Sequence, residues 1–217
     1  MIKTVIKEVP VEVIKYVEKE TTSTIDSYLT GNYTSITNIA YKNKRSSQKT
    51  PFAVYLNQFI TPNAFEVLKF KRLNTKALDH YTQMRDLGSA LSKLTTWVDE
   101  SKLYDSGDYY YYPEETLTGQ RKQCDCEDVS FTMASFNADI SCVAYGFYNH
   151  PQTKQRFGHA FPVFVYDDNL YIVETTGDSV ELVPFEDERY EPCFLITATK
   201  TYQVRSGVQF GNLASWD

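Results

Sequence analysis

A thiol, an imidazole and a carboxylate follow one another along this chain, each in a setting that could do chemistry. Cys126 stands in Gln123-Cys124-Asp125-Cys126-Glu127-Asp128, His159 in Gly158-His159-Ala160-Phe161, and Glu174 closes Tyr171-Ile172-Val173-Glu174. A cysteine attacks a carbonyl carbon well only as a thiolate. Cys126 falls at the start of a predicted helix, with Asp125 at its N-cap. The helix dipole and the unpaired N–H groups there favour negative charge on sulfur and so a lowered thiol pKa, and the same groups can hold the oxyanion of an attacked amide. Asp125, Glu127 and Asp128 also suit a helix start, yet they repel a thiolate, so ionising the sulfur requires an imidazole beside it.

Of the three histidines, His80 lies on a predicted helix and His150 in the loop Asn149-His150-Pro151. His159 opens an apolar strand just after Gly158, whose missing side chain admits a close neighbour. A strand-end histidine taken alone is more often structural; its place after a helix-start cysteine reverses that reading. Glu174 ends an otherwise apolar strand, so its carboxylate needs a partner unless it sits at the strand edge in solvent. Register links the two groups. With Asp167-Asp168 as the turn, Tyr166 pairs with Asn169 and His159 lies opposite Thr176. Glu174 is then a same-face diagonal neighbour of His159, about 7–8 Å away between backbones, a gap that a glutamate side chain bridges. A slip of one residue would put the two on opposite faces. For the oxyanion, Gln120 and Gln123 precede Cys126 by six and three residues. Either amide could donate a hydrogen bond, and a solvated loop glutamine fits each equally well.

Around these groups the pattern predicts a helix from Asn74 to about Leu103, with Leu78, Met84, Leu87, Leu91, Leu94 and Trp97 at mostly three- and four-residue steps. A turn and a tyrosine block, Asp105 to Tyr112, lead to a short helix opened by Pro113. The Cys126 helix runs to about Asn137. Strands follow at Ile140–Tyr148, His159–Tyr166, Leu170–Thr175 and Val180–Val183, with a last one between Phe194 and Val204. Helices followed by an antiparallel sheet make the fold class α+β. Residues 1–50 have a different character. Up to about residue 20 they mix Lys and Glu with Ile and Val, in heptad-like spacing broken by Pro10; beyond that they are rich in Ser, Thr, Asn and Tyr. They are expected to be an arm and a linker that pack on a protein partner or on a second copy, leaving residues 51–217 as the folded domain.

The bulk numbers bound the function. Of 217 residues, 42% are hydrophobic and 15% aromatic, enough for a real core. The net charge of −6 and the absence of a basic stripe exclude nucleic acid as the main partner. No apolar run is long enough for a membrane span, and the charges near Met1 break any signal-peptide core, so a cytoplasmic setting is expected. The four cysteines, Cys124, Cys126, Cys142 and Cys193, are expected as free thiols, with Cys142 and Cys193 as small buried hydrophobes. No cofactor is called for. A zinc site on Cys124, Cys126 and His159 has poor spacing, because one intervening residue is not the usual gap.

The motifs resemble the transglutaminase-like superfamily, and most closely the bacterial transglutaminase-like cysteine proteinases. The resemblance runs over roughly residues 75–205, through the tyrosine approach, Pro113-Glu114-Glu115-Thr116-Leu117, Asp125-Cys126-Glu127-Asp128, Gly158-His159-Ala160, Leu170-Tyr171-Ile172-Val173-Glu174 and Tyr190-Glu191-Pro192. Cys124 stands where that group usually has glycine, and Glu174 where it usually has aspartate. The resemblance implies a papain-like core and acyl transfer from a peptide or protein amide through a thioester. Cys126 would be the nucleophile, His159 the base and then the acid, and Glu174 the group that orients the imidazole. Peptidase, amidase and transglutaminase remain open, since the surrounding cleft sets leaving group and acceptor. A second reading stands beside it: a non-catalytic structural or assembly protein, for example a virion component, that reuses the fold.

Overall fold

The computed structural model describes residues 24–42, 53–98, 110–119, 123–175 and 179–209. Its centre is an antiparallel sheet built from β6 (Ser141–Asn149), β7 (Arg156–Tyr166), β8 (Asn169–Glu174), β9 (Glu181–Pro184), β10 (Tyr190–Ile196) and β11 (Thr201–Gln203). With β1 (Thr34–Ile36) at one edge, the strand order is β1-β11-β10-β6-β7-β8-β9. The Asp167-Asp168 turn closes as the sequence predicts: both residues take positive φ (49° and 56°), and Tyr166 pairs with Asn169. The single strand expected between Phe194 and Val204 is instead the hairpin of β10 and β11. The Thr197 hydroxyl accepts the N–H groups of Thr199 and Lys200 and turns the chain there.

The central strands are apolar on both faces because both are covered. Phe161, Val163 and Val165 of β7 join the cluster that holds Ile25 and Leu29, whereas Ala160 and Phe164 face the clusters that hold Phe131 and Met133. The second cover is α5 (Cys126–Phe136), whose residues from Glu127 to Phe136 are all buried. Its hydroxyls tolerate this by bonding back along the helix: Ser130 to the Cys126 carbonyl, Thr132 to Asp128 and Ser135 to Phe131. Asp128, fully buried, accepts the Tyr111 N–H at 2.7 Å and so ties the tyrosine segment to α5. That segment leads into α4 (Pro113–Leu117), opened by proline as expected.

The long helix is shorter than its periodicity suggests. Asn74 ends α2 (Phe65–Asn74), and α3 (His80–Leu94) begins at Asp79, whose side chain accepts the Thr82 N–H at 2.8 Å. Trp97 belongs to β4 (Thr96–Trp97), paired in parallel with β5 (Gln123–Cys124). Among the described residues no helix is long and apolar enough to cross a membrane.

The boundary at residue 50 needs correction. Residues 24–42 contribute α1 (Ile25–Asn32), the edge strand β1, and β2 (Ala40–Lys42), which pairs with β3 (Ala53–Tyr55). Thr24 caps α1, Ile25 and Leu29 are buried in the core, and β1 pairs with β11. Polar composition hid this, because two apolar side chains at i and i+4 and a row of edge-strand hydrogen bonds are enough to dock a short helix and strand. Leu29→Ala is expected to cost about 2–5 kcal/mol, read as a lower urea midpoint at unchanged slope. The expectations for residues 1–23, for the turn at Asp105 and for Gln120 lie on or extend into segments outside the described residues.

Candidate active site

Three elements deliver the predicted groups. Cys126 is the first residue of α5, with Asp125 at the N-cap position, although the Asp125 side chain accepts no cap bond. His159 lies in β7 opposite Gly146 of β6, and Glu174 is the last residue of β8. The register Val163↔Ile172, continued along the two strands, sets Phe161 opposite Glu174, so His159 and Glu174 share a face as the hairpin arithmetic requires. His159 Nε2 is 3.2 Å from Glu174 Oε2, with both side chains nearly buried. Tyr190 of β10 donates its hydroxyl to that same oxygen at 2.8 Å. The imidazole is walled by the rings of Phe161 and Tyr190 at 5.7 and 6.4 Å and meets Tyr148 edge-on at 6.0 Å. Burial, then the charge and hydrogen bond of Glu174, push the Tyr190 hydroxyl far up, so it stays a donor.

Cys126 sits one residue along from this array. Its sulfur lies 3.5 Å from the Ala160 N–H, a donor from the residue next to His159. The thiol itself donates to Glu127 Oε2 at 3.2 Å. Among the described residues, these two contacts, and no hydrogen bond to the imidazole, hold the sulfur. The electrostatics reverse the helix-start argument. Burial pushes the thiol well up, the carboxylates of Glu127 and Asp125 push it further, and the Ala160 N–H opposes them only in part. These directions favour the thiol over the thiolate at rest.

Of the supporting amides, Gln123 is exposed on β5 and Gln120 lies outside the described residues. His80 starts α3, and His150 turns its Nδ1 to the N–H groups of Gln152 and Thr153, so neither belongs to the array. The cysteines are thiols, and Cys142 and Cys193 are fully buried. Two contributors escaped the sequence reading. Glu127 read as a helix-start acid and not as the thiol's acceptor, and Tyr190 stood in a noted motif without a role. Only the tertiary arrangement brings its hydroxyl from β10 to a carboxylate on β8.

Tyr190→Phe removes a donor to Glu174 Oε2, the oxygen that also faces His159 Nε2. The remaining bond from His159 should shorten, moving the Nε2–H proton resonance downfield, at a stability cost of about 1 kcal/mol. An unmoved resonance would make Tyr190 a packing residue only.

No family model matches the chain, and no curated protein matches it. Solved structures do. Calcium-bound LapG of Legionella pneumophila, a transglutaminase-like cysteine protease, superposes at a TM-score of 0.50 and 14% identity, over 66% of this chain and 78% of its own. The fold is transglutaminase-like. The EGTA-treated form of LapG gives 0.47 at 15% identity over 75% and 92% of the two chains. A transglutaminase gives 0.40 at 17% identity, covering 52% of this chain but only 31% of its own, so this chain spans about a third of that enzyme. The α+β architecture with a large antiparallel sheet is thus the one the motifs led us to expect.

Proposed function

We propose that the chain performs cysteine-dependent acyl transfer on a peptide or protein amide, with Cys126 as nucleophile, His159 as base and then acid, and Glu174 as the orienting carboxylate. The observation that carries this reading is the buried Tyr190–Glu174–His159 array, set one residue from the N–H that touches the Cys126 sulfur. Glu174 engages Nε2 and so favours the tautomer with its proton there, which leaves Nδ1 to accept one. The raised thiol pKa favours general-base catalysis, in which the proton leaves as the sulfur attacks. Sγ bonds to the amide carbon as its proton passes to Nδ1, and the carbonyl oxygen becomes an oxyanion. The C–N bond then breaks, the imidazolium proton leaves with the amine, and a thioester remains. Water or a second amine, deprotonated by the imidazole, attacks the thioester and releases the acid or the new amide, and the thiol is restored.

One observation favours the second reading, a non-catalytic protein on the same fold. The thiol donates to Glu127, and desolvation with the neighbouring carboxylates disfavours its thiolate. The two readings separate in one experiment. The full chain and its Cys126→Ala variant are incubated with a mixed protein extract and a tagged primary amine, and new N-termini and tagged proteins are identified by mass spectrometry. Acyl transfer predicts products that appear with the parent chain alone. Identical profiles for the two proteins would leave the structural reading standing.

A further inference from the structure

We propose that a cleft beside Cys126 is a subsite for an acidic stretch of polypeptide. The inference rests on the acyl-transfer reading and names its substrate class. The cleft has a volume of about 540 Å³, the size of a site that takes a few side chains. One wall is α3, which presents Arg85, Ser89 and Lys93; another is the β4–β5 pair, with Trp97 and Cys124; Thr175, beyond the end of β8, lies at the rim.

Its position connects it to the chemistry. Cys124 stands two residues before the nucleophile and Thr175 directly after Glu174, so the cleft opens between the two elements that carry those groups. An extended peptide advances about 3.3 Å per residue. On this proposal, a substrate with its scissile amide at Cys126 reaches the cleft with a side chain a few positions away.

Its chemistry selects charge. Arg85, Ser89 and Lys93 recur every four residues and so share one helix face. Arg85 and Lys93 are the charged residues among the described ones that line the cleft, and both are cations. Arg85 approaches Asp86 at 3.7 Å, yet its side chain is 54% exposed and keeps donors for a ligand. The Trp97 ring, 56% exposed on a short strand, offers an apolar platform beside them. The chain as a whole carries −6, so at long range it repels acidic peptides. A preference for carboxylates must come from this local pair of cations and survive that background.

The test uses the full chain with Cys126→Ala, so that binding is read without turnover. The probe is a fluorescein-labelled, Glu-rich decapeptide, compared by fluorescence anisotropy with its Gln and Lys counterparts. The acidic peptide should bind about tenfold more tightly than the Gln peptide at low salt. Arg85→Glu with Lys93→Glu should abolish that preference without changing the circular dichroism, since both side chains are exposed. Equal affinities, absence of binding, or a preference that persists after charge reversal would overturn the proposal. Because the assay needs no thiol, a binding preference in a protein whose Cys126 proves inert would uphold the cleft while removing the acyl-transfer reading.

Discussion

Alanine at position 146 is expected to lower stability by about 3 kcal/mol or more, a large share of what a domain of this kind possesses. Gly146 lies in β6 opposite Pro192 of β10 and His159 of β7. A Cβ added there would fall 2.1 Å from the Glu191 carbonyl oxygen and 2.8 Å from both the Glu191 carbonyl carbon and the Pro192 Cα. All three are backbone atoms, so no change of rotamer relieves the overlap, and β10 must move. The pairing of β10 with β6 already shifts register between Pro192 and Phe194. Any displacement of β10 carries Tyr190 away from Glu174 and reaches the imidazole through that carboxylate. Urea unfolding of Gly146→Ala should show a much lower midpoint and the loss of the downfield Nε2–H resonance. Gly31→Ala is the control. A Cβ there meets nothing within 4 Å, and the residue lies in α1, where alanine is the better helix former. Its expected effect is neutral or stabilising by about 0.5 kcal/mol.

His159→Gln is expected to reduce turnover on any substrate found with the Cys126→Ala comparison by about 10²–10⁴-fold, the range of a general base. Desolvation and the neighbouring carboxylates push the thiol up, so its attack depends on a base. Glu174→Gln keeps the volume and a hydrogen bond to Nε2 but offers no charge to stabilise the imidazolium, so a smaller loss is expected. A His159→Gln enzyme that retains full turnover would remove the imidazole from the mechanism.

The His159–Glu174 pair was legible because a strand has only two faces. Once Asp167-Asp168 is read as the turn, parity along β7 and β8 decides which residues meet. The start of α5 was legible for a similar reason, since acids at its first turn mark a helix N-terminus. The charge state of Cys126 was not. Local rules about helix ends favour a thiolate, but desolvation depends on how completely α5 is packed against the sheet and the tyrosine segment, which is a tertiary fact. The membership of α1 in the core escaped for the opposite reason: average composition outweighed two well-placed apolar residues, Ile25 and Leu29. Tyr190 reaches Glu174 across the face of β6 and β7, a contact no local pattern encodes.

The most direct test of the account is the rate of Cys126 alkylation by iodoacetamide as a function of pH. The parent chain is compared with His159→Ala and Glu127→Gln, and the modified cysteine is identified by mass spectrometry. A thiol with a raised pKa loses about tenfold in thiolate for each pH unit below that pKa, and so reacts slowly at neutral pH unless a base assists. The account predicts a parent rate at pH 7 well above that of His159→Ala. It also predicts a further rise in Glu127→Gln, where the acceptor's negative charge is gone and the thiol is easier to ionise. Superimposable profiles for the parent and His159→Ala would contradict it, and would make Cys126 an ordinary thiol on a transglutaminase-like fold.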